Sequence, residues 1–175
     1  MHAFGIAVTK GDRAAACALS LSDADSQKQV NLVIDLVEAY ASLGAAMKDR
    51  GIDPIHFTDH WLLQEIDAYQ RRNGAPKIAG DVANFHEDPS AVRLRLRREG
   101  GTWKVDPSSI EAGNFPKRLA EIRAWIAASG EVRGKLARGE LRDKNAVYYD
   151  LHAAANRFLA SAADKRPATT RATEK

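Results

Sequence analysis

The side chains most able to do chemistry in this sequence are its histidines. His56 and His60 are four residues apart, and on a helix that spacing would place both imidazoles on one face, as a zinc site requires. His56 precedes Thr58, where the predicted helix begins, and no Glu follows it directly as a metalloprotease motif needs. We therefore predict no metal site and keep His60 as a candidate catalytic residue.

A second candidate catalytic residue is His86. It shares one side of a short predicted strand with Asn84, and a histidine that faces a cavity and is oriented by a carboxylate can act as a general base. Phe85 and Ala83 occupy the alternate, apolar side of the same strand, which favours His86 pointing outward into solvent. Both interpretations of His86 stay open from the sequence.

Aromatic side chains are the candidates for a ligand pocket. The first candidates to line a cavity are Trp61, Trp103 and Phe85, and the others are Tyr40, Tyr69, Trp125 and Phe158. The alternative is that all of them are core residues, as aromatic side chains at helical or strand spacing usually are. The sequence contains no glycine-rich phosphate loop, no Ser nucleophile elbow and no cysteine cluster. It predicts no cofactor.

The elements that must position these residues centre on a β-hairpin over residues 92–110. Apolar and basic residues alternate up to Gly100 and Gly101 and alternate again beyond them. Successive side chains of a strand point to opposite faces, so the sequence predicts one apolar and one basic face. The apolar set is Val92, Leu94, Leu96, Trp103 and Val105, and the basic set is Arg93, Arg95 and Arg97. We expect the apolar face to lie beneath helices and the guanidinium groups to stay hydrated.

Helical patterns flank this hairpin on both sides in the sequence. Before it we predict two short helices over 3–21, a long amphipathic helix over 23–50 and a helix over 58–72. Short strands over 77–79 and 82–86 complete a four-stranded antiparallel meander. After it we predict a helix whose apolar stripe ends before Gly130, a weaker helical piece, and a helix over 143–163. No βαβ alternation occurs, so the predicted fold class is α+β, with N-terminal helices, a meander sheet and C-terminal helices.

Length and charge bound the domain organisation. The 175 residues suit one domain over 1–164, followed by a basic tail over 165–175 that we predict to be disordered. Four basic residues of this tail against Glu174 account for the whole net charge of +3, so the body is neutral. A neutral body whose basic strand carries no interleaved aromatic residues makes nucleic-acid binding an unfavoured function. No run approaches the length of a membrane span and the N-terminus lacks signal-peptide features, which predicts a cytoplasmic protein, or the mature part of a longer exported precursor.

Several structural motifs of the chain resemble bacterial members of the NTF2-like (SnoaL-like) superfamily. They are Gly-Asp-x-Ala-Ala-Ala at 11–16, the Gly80-Asp81 turn, Gly-x-Trp-Lys-Val-Asp at 101–106, and the helical extension that includes 132–141. The resemblance implies a sheet curved around helices to form a cone-shaped cavity. Four predicted strands and a large helical C-terminal third imply an incomplete cone that these helices fill or cover.

Two functions follow from this resemblance. The first is a noncatalytic NTF2-like domain that binds a protein partner or a small-molecule ligand, with a homodimer as one arrangement. The alternative is a small-molecule isomerase or lyase that uses His60 or His86 in a pocket lined by Trp61, Trp103 and Phe85. An enzyme would place an ionisable side chain at the floor of a wet pocket, whereas a binding domain would keep its polar groups at the rim.

Overall fold

The computed structural model describes residues 2–56, 76–84, 95–108 and 115–164. Within these residues the fold is α+β, with helices before and after a four-stranded antiparallel sheet, as the sequence predicts. The elements are α1 (His2–Thr9), α2 (Arg13–Leu19), α3 (Ala24–Asp49), β1 (Lys77–Ala79), β2 (Val82–Asn84), β3 (Arg95–Glu99), β4 (Thr102–Asp106), α4 (Phe115–Ala137) and α5 (Lys144–Asp164). The predicted helix over 58–72 and the tail over 165–175 lie outside the described residues.

The N-terminal helices begin where capping chemistry predicts. The Asp12 carboxylate accepts a hydrogen bond from the Ala15 amide at the start of α2, and Asp23 does the same for Ser26 at the start of α3. Arg13 then ties α2 to α3, because its guanidinium donates to Asp35 at 2.8 Å and to the side chain of Asn31 at 3.0 Å.

The long helix α3 packs against α1, α2 and α4. By length and composition alone it could cross a membrane, so the prediction that no run approaches that length was wrong. Asp35 and Glu38 interrupt the apolar run, but residues 30–47 contain only these two charged side chains among 18 and stay apolar enough on average. The most buried apolar side chains of α3 belong to the core of the protein. They are Val30, Ile34, Leu36, Leu43 and Met47, each at most 1% exposed.

Helix α4 runs unbroken through Gly130 and Gly134, so the sequence-based prediction of a stripe ending at Gly130 and a separate weaker piece was wrong. Its buried residues explain the continuity. Ala128, Val132 and Leu136 are spaced four apart and fully buried, so one face of the helix stays in contact with the core through both glycines. The packing of this face outweighs the cost of about 1 kcal/mol that each glycine adds.

Most of the described core lies along α4, which packs against both α3 and α5, and α1 and α2 add Val8 and Ala16 to it. Helix α5 starts after Asp143, whose carboxylate accepts from the Ala146 amide at 2.8 Å, and it buries Val147, Leu151 and Ala154 against the same core. Each fully buried Leu, Ile or Val contributes roughly 1.5–3 kcal/mol, so these contacts are the main source of stability in the described fold.

The sheet has the predicted antiparallel order, and its β3–β4 hairpin turns at Gly100 and Gly101, both of which have positive φ. One apolar row crosses it through Ile78, Ala83, Leu96 and Val105. Leu96 and Val105 pack with the helical core, as predicted, whereas Ile78 at the β1 edge is 62% exposed. Residues 92–94 lie outside the described residues.

The segment between α2 and α3 joins the sheet to the helices. Ser20 forms a parallel bridge with Val105, and the Leu21 amide donates to the Val105 carbonyl at 3.0 Å. Ser22 donates from its hydroxyl to the Glu99 carboxylate at 2.7 Å. On the basic face, Arg97 is exposed as predicted, but Arg95 is half-buried, with its guanidinium 3.8 Å from the buried Asp106 carboxylate.

Candidate functional site

Of the sequence-predicted site residues, the structure describes Trp103. His60, Trp61, Phe85 and His86 all lie outside the described residues, so their predicted roles stay predictions. The Trp103 ring is half-buried on the sheet, and the Arg98 guanidinium carbon lies 5.3 Å from its centroid. This is cation–π geometry, in which a cation covers the ring. Trp103 is not among the lining residues of the cleft described next.

A cleft of about 360 Å³ lies along the outer side of α3. Its buried and half-buried lining comes from Val37, Tyr40 and Gly44 of α3 together with Pro54 and Ile55 of the segment that follows the helix. The exposed lining residues are Thr9, Ala41, Ala45, Lys48 and His56. The volume falls at the lower end of the range of about 300–1,000 Å³ found for small-molecule sites.

One wall of the cleft exists because the chain reverses sharply at the end of α3. The Gly51 amide donates to the Lys48 carbonyl and the Ile52 amide to the Met47 carbonyl, both at 2.9 Å. This pair of bonds is a Schellman motif, which requires a left-handed residue, and Gly51 has φ 72°. Ile52 and Met47 are both buried, so the reversal is also held by an apolar contact to the core.

Gly44 sets how closely the returning segment approaches α3. A β-carbon at this position would lie 3.4 Å from the Ile55 carbonyl oxygen and 3.4 Å from the Pro54 β-carbon. These are ordinary van der Waals distances, so alanine would fit at position 44, whereas a side chain that extends beyond the β-carbon would push the segment away from the helix. The alanines at 41 and 45, one turn apart on the same helix, leave open the space that becomes the cleft.

The returning segment is anchored to the other helices by charged groups. The Asp53 carboxylate accepts from the Lys144 ammonium at 2.6 Å, and this hydrogen bond is the main reason that the pKa of Asp53 is lowered. The Arg50 guanidinium donates to the Ala137 carbonyl at the end of α4. The wall is thus tied to α4 and to the first turn of α5.

The polar groups of the cleft divide between its floor and its rim. Tyr40 is 5% exposed, and burial raises its pKa above the usual range, with the nearby Tyr148 as the smaller cause. Its hydroxyl therefore stays protonated. Lys48 and His56 are exposed at the rim, and the exposed Thr9 hydroxyl donates to the Gly5 and Ile6 carbonyls of its own helix.

A second cluster of aromatic and charged residues lies between α4 and α5. The rings of Trp125 and His152 meet edge to face with centroids 4.8 Å apart, and Tyr148 lies 4.3 Å from His152. Nearby along the same helix pair, the Lys135 ammonium contacts both Asp150 oxygens at 2.8 and 2.9 Å. These contacts join α4 to α5.

The sequence did not predict the cleft, and two of its lining residues were considered as site residues, Tyr40 as an aromatic side chain that could line a cavity and His56 as a metal ligand. Gly44 in the middle of an alanine-rich helix was a usable signal, because a helix-interior glycine costs about 1 kcal/mol and often marks a close approach. In the described part of the chain, no three His, Cys, Asp or Glu side chains are grouped so that they could hold a metal ion.

Comparison of the chain with protein-family models, with curated proteins and with solved structures finds no match.

Proposed function

We propose that this chain is a noncatalytic domain that binds a small molecule, and that the cleft along α3 is its site. The observation that carries the proposal is the cleft itself, in which an apolar floor of buried Val37 and half-buried Gly44 and Ile55 opens to a polar rim. Apolar lining with a few polar groups is the usual composition of ligand sites. Burial of an apolar ligand surface there would supply the binding free energy.

The ionisable groups of the cleft divide between the two functions, because Lys48 and His56 stand at the rim, as in a binding site, whereas Tyr40 stands at the floor, where an enzyme would place one. Lys48 and His56 are exposed at the rim, where water screens their charges. Tyr40 is the ionisable group of the floor, and its raised pKa keeps it a neutral hydrogen-bond donor rather than a base. This arrangement suits a site that binds and orients a ligand better than it suits a site that transfers a proton.

The other functional expectations stay predictions. The NTF2-like resemblance does not support the proposal, which stands on the cleft alone. The isomerase or lyase alternative depends on His60 and His86, which lie outside the described residues. Binding of a protein partner, a homodimer, the unfavoured nucleic-acid binding and cytoplasmic localisation likewise stay predictions.

The test uses N-phenyl-1-naphthylamine, an uncharged probe whose fluorescence rises on entering an apolar site. The variant Ala45→Phe places an aromatic ring on the exposed cleft side of α3, and Ala153→Phe adds the same ring at an exposed position of α5. We expect the full-length protein and Ala153→Phe to bind the probe with equal affinity. Ala45→Phe is expected to lose about tenfold in affinity, because the ring occupies the space of the probe.

Circular dichroism and thermal unfolding of each variant ensure that a loss of binding is not a loss of folding. If the wild-type chain does not bind the probe, or if Ala45→Phe binds it as well as Ala153→Phe does, the cleft is not the ligand site.

A further inference from the structure

The charges around the cleft are unevenly distributed. Lys48 is exposed and makes no ion pair in the part of the chain that the structure describes. Among the described lining residues none is acidic, and the ionisable ones are Tyr40, Lys48 and His56. As far as the structure describes it, the rim therefore presents a positive charge without a carboxylate of its own to balance it.

The carboxylates near the lining residues in sequence are mostly engaged elsewhere. Glu38 follows Val37 and accepts from the Arg13 guanidinium at 3.1 Å. Asp53 precedes Pro54 and is paired with Lys144 at 2.6 Å. Asp49 follows Lys48 on α3, and adjacent helical residues point about 100° apart, so it does not share the direction of Lys48.

The backbone at the end of α3 does not compete for the lysine either. The last carbonyls of a helix attract cations, but those of Met47 and Lys48 already accept the amides of Ile52 and Gly51. Among the described residues, the Lys48 ammonium thus has solvent as its neighbour, beside an apolar floor. The charged group of a bound anion would replace water at the Lys48 ammonium. The apolar part of the same ligand would leave water and lie on the floor of the cleft.

We propose that the ligand of this cleft is a small organic monoanion, such as a carboxylate with an apolar body, and that Lys48 binds its charged group. The apolar body lies against Val37 and Ile55 of the cleft. This inference rests on the proposed function, because it names the chemical class of ligand for the same site.

The experiment compares two probes with the same apolar body, 1-naphthaleneacetate and the uncharged 1-naphthaleneacetamide, by calorimetry at neutral pH and low salt. We expect the wild-type chain to bind the anion about fivefold more tightly than the amide, as one partly exposed ion pair allows. Lys48→Gln is expected to abolish this preference and leave amide binding unchanged. Lys28→Gln removes the same charge from an exposed position in the second turn of α3 and is expected to keep the preference.

The outcomes separate the two proposals. Equal affinity for the anion and the amide in the wild-type chain, or a preference that survives Lys48→Gln, overturns the anion inference and leaves small-molecule binding standing. Absence of binding by both probes at several millimolar overturns the inference together with the proposed function.

Discussion

Replacement of Gly51 by alanine tests whether the reversal after α3 is held in the way the structure indicates. Gly51 has φ 72°, a left-handed conformation that strains any residue with a β-carbon. No atom lies within 4 Å of the position that the new β-carbon would take, so crowding adds nothing and the cost comes from the backbone. That cost is about 1.5 kcal/mol.

Gly130→Ala is the matched control for this substitution. Gly130 lies inside α4 without a positive φ, and its added β-carbon would also meet nothing within 4 Å. Alanine there should raise the free energy of unfolding by about 0.5–1 kcal/mol, since it removes backbone freedom from the unfolded chain. The same chemical change is therefore expected to have opposite signs at the two glycines.

Urea unfolding at neutral pH measures both effects, and thermal unfolding checks them. For a chain of this length we expect Gly51→Ala to lower Tm by about 3–6 °C and Gly130→Ala to raise it by about 1–4 °C. Gly51→Asn should fall between the wild type and Gly51→Ala, because asparagine tolerates the left-handed region better than alanine. If both alanine variants shift the free energy of unfolding in the same direction, the Schellman reversal is not what holds this segment.

Two further predictions concern helix ends and helix contacts. Asp23→Ala should lower the free energy of unfolding by about 1 kcal/mol at pH 7. The hydrogen bonds from Ser26 lower the pKa of Asp23, so its contribution is complete above the unfolded pKa of about 3.9 and is lost as pH falls through the folded pKa. Urea unfolding at pH 7 and near pH 2 should show that difference disappear, and a difference that persists in acid would contradict the capping assignment. In a double-mutant cycle, Lys135→Ala and Asp150→Ala should couple by about 1 kcal/mol, because both side chains are about one-fifth exposed and in direct contact. Additive effects would show that this pair contributes nothing to the contact of α4 with α5.

The cleft along α3 could not be predicted from the sequence. Its parts are separated in the chain, with Thr9 in α1, Tyr40 in α3 and Ile55 after the reversal, and no spacing rule relates them. The residues that sequence reasoning favoured were aromatic or ionisable ones within recognisable elements. The site that the structure describes instead depends on small residues, at 41, 44 and 45, whose role is to leave space.

The sequence predicted the β3–β4 hairpin but not which residues of its apolar face are buried. Alternation around Gly100 and Gly101 predicted the β3–β4 hairpin, and the structure has this pairing with its turn at the two glycines. The same alternation treated Trp103 and Val105 as equivalent members of the apolar face. Val105 is in the core because the segment that connects α2 to α3 pairs with β4 at this residue. Trp103 instead has the Arg98 guanidinium over its ring.

By itself the sequence determined the features that depend on neighbours within a few residues. The carboxylate caps at Asp12 and Asp23 and the two-residue hairpin turn are of this kind, because hydrogen bonds and φ preferences act over one turn of chain. The tertiary structure decided the continuity of α4 through Gly130 and the return of residues 52–56 along α3. Both depend on which surfaces lie across from these segments, and burial against a distant element outweighs a local preference of about 1 kcal/mol.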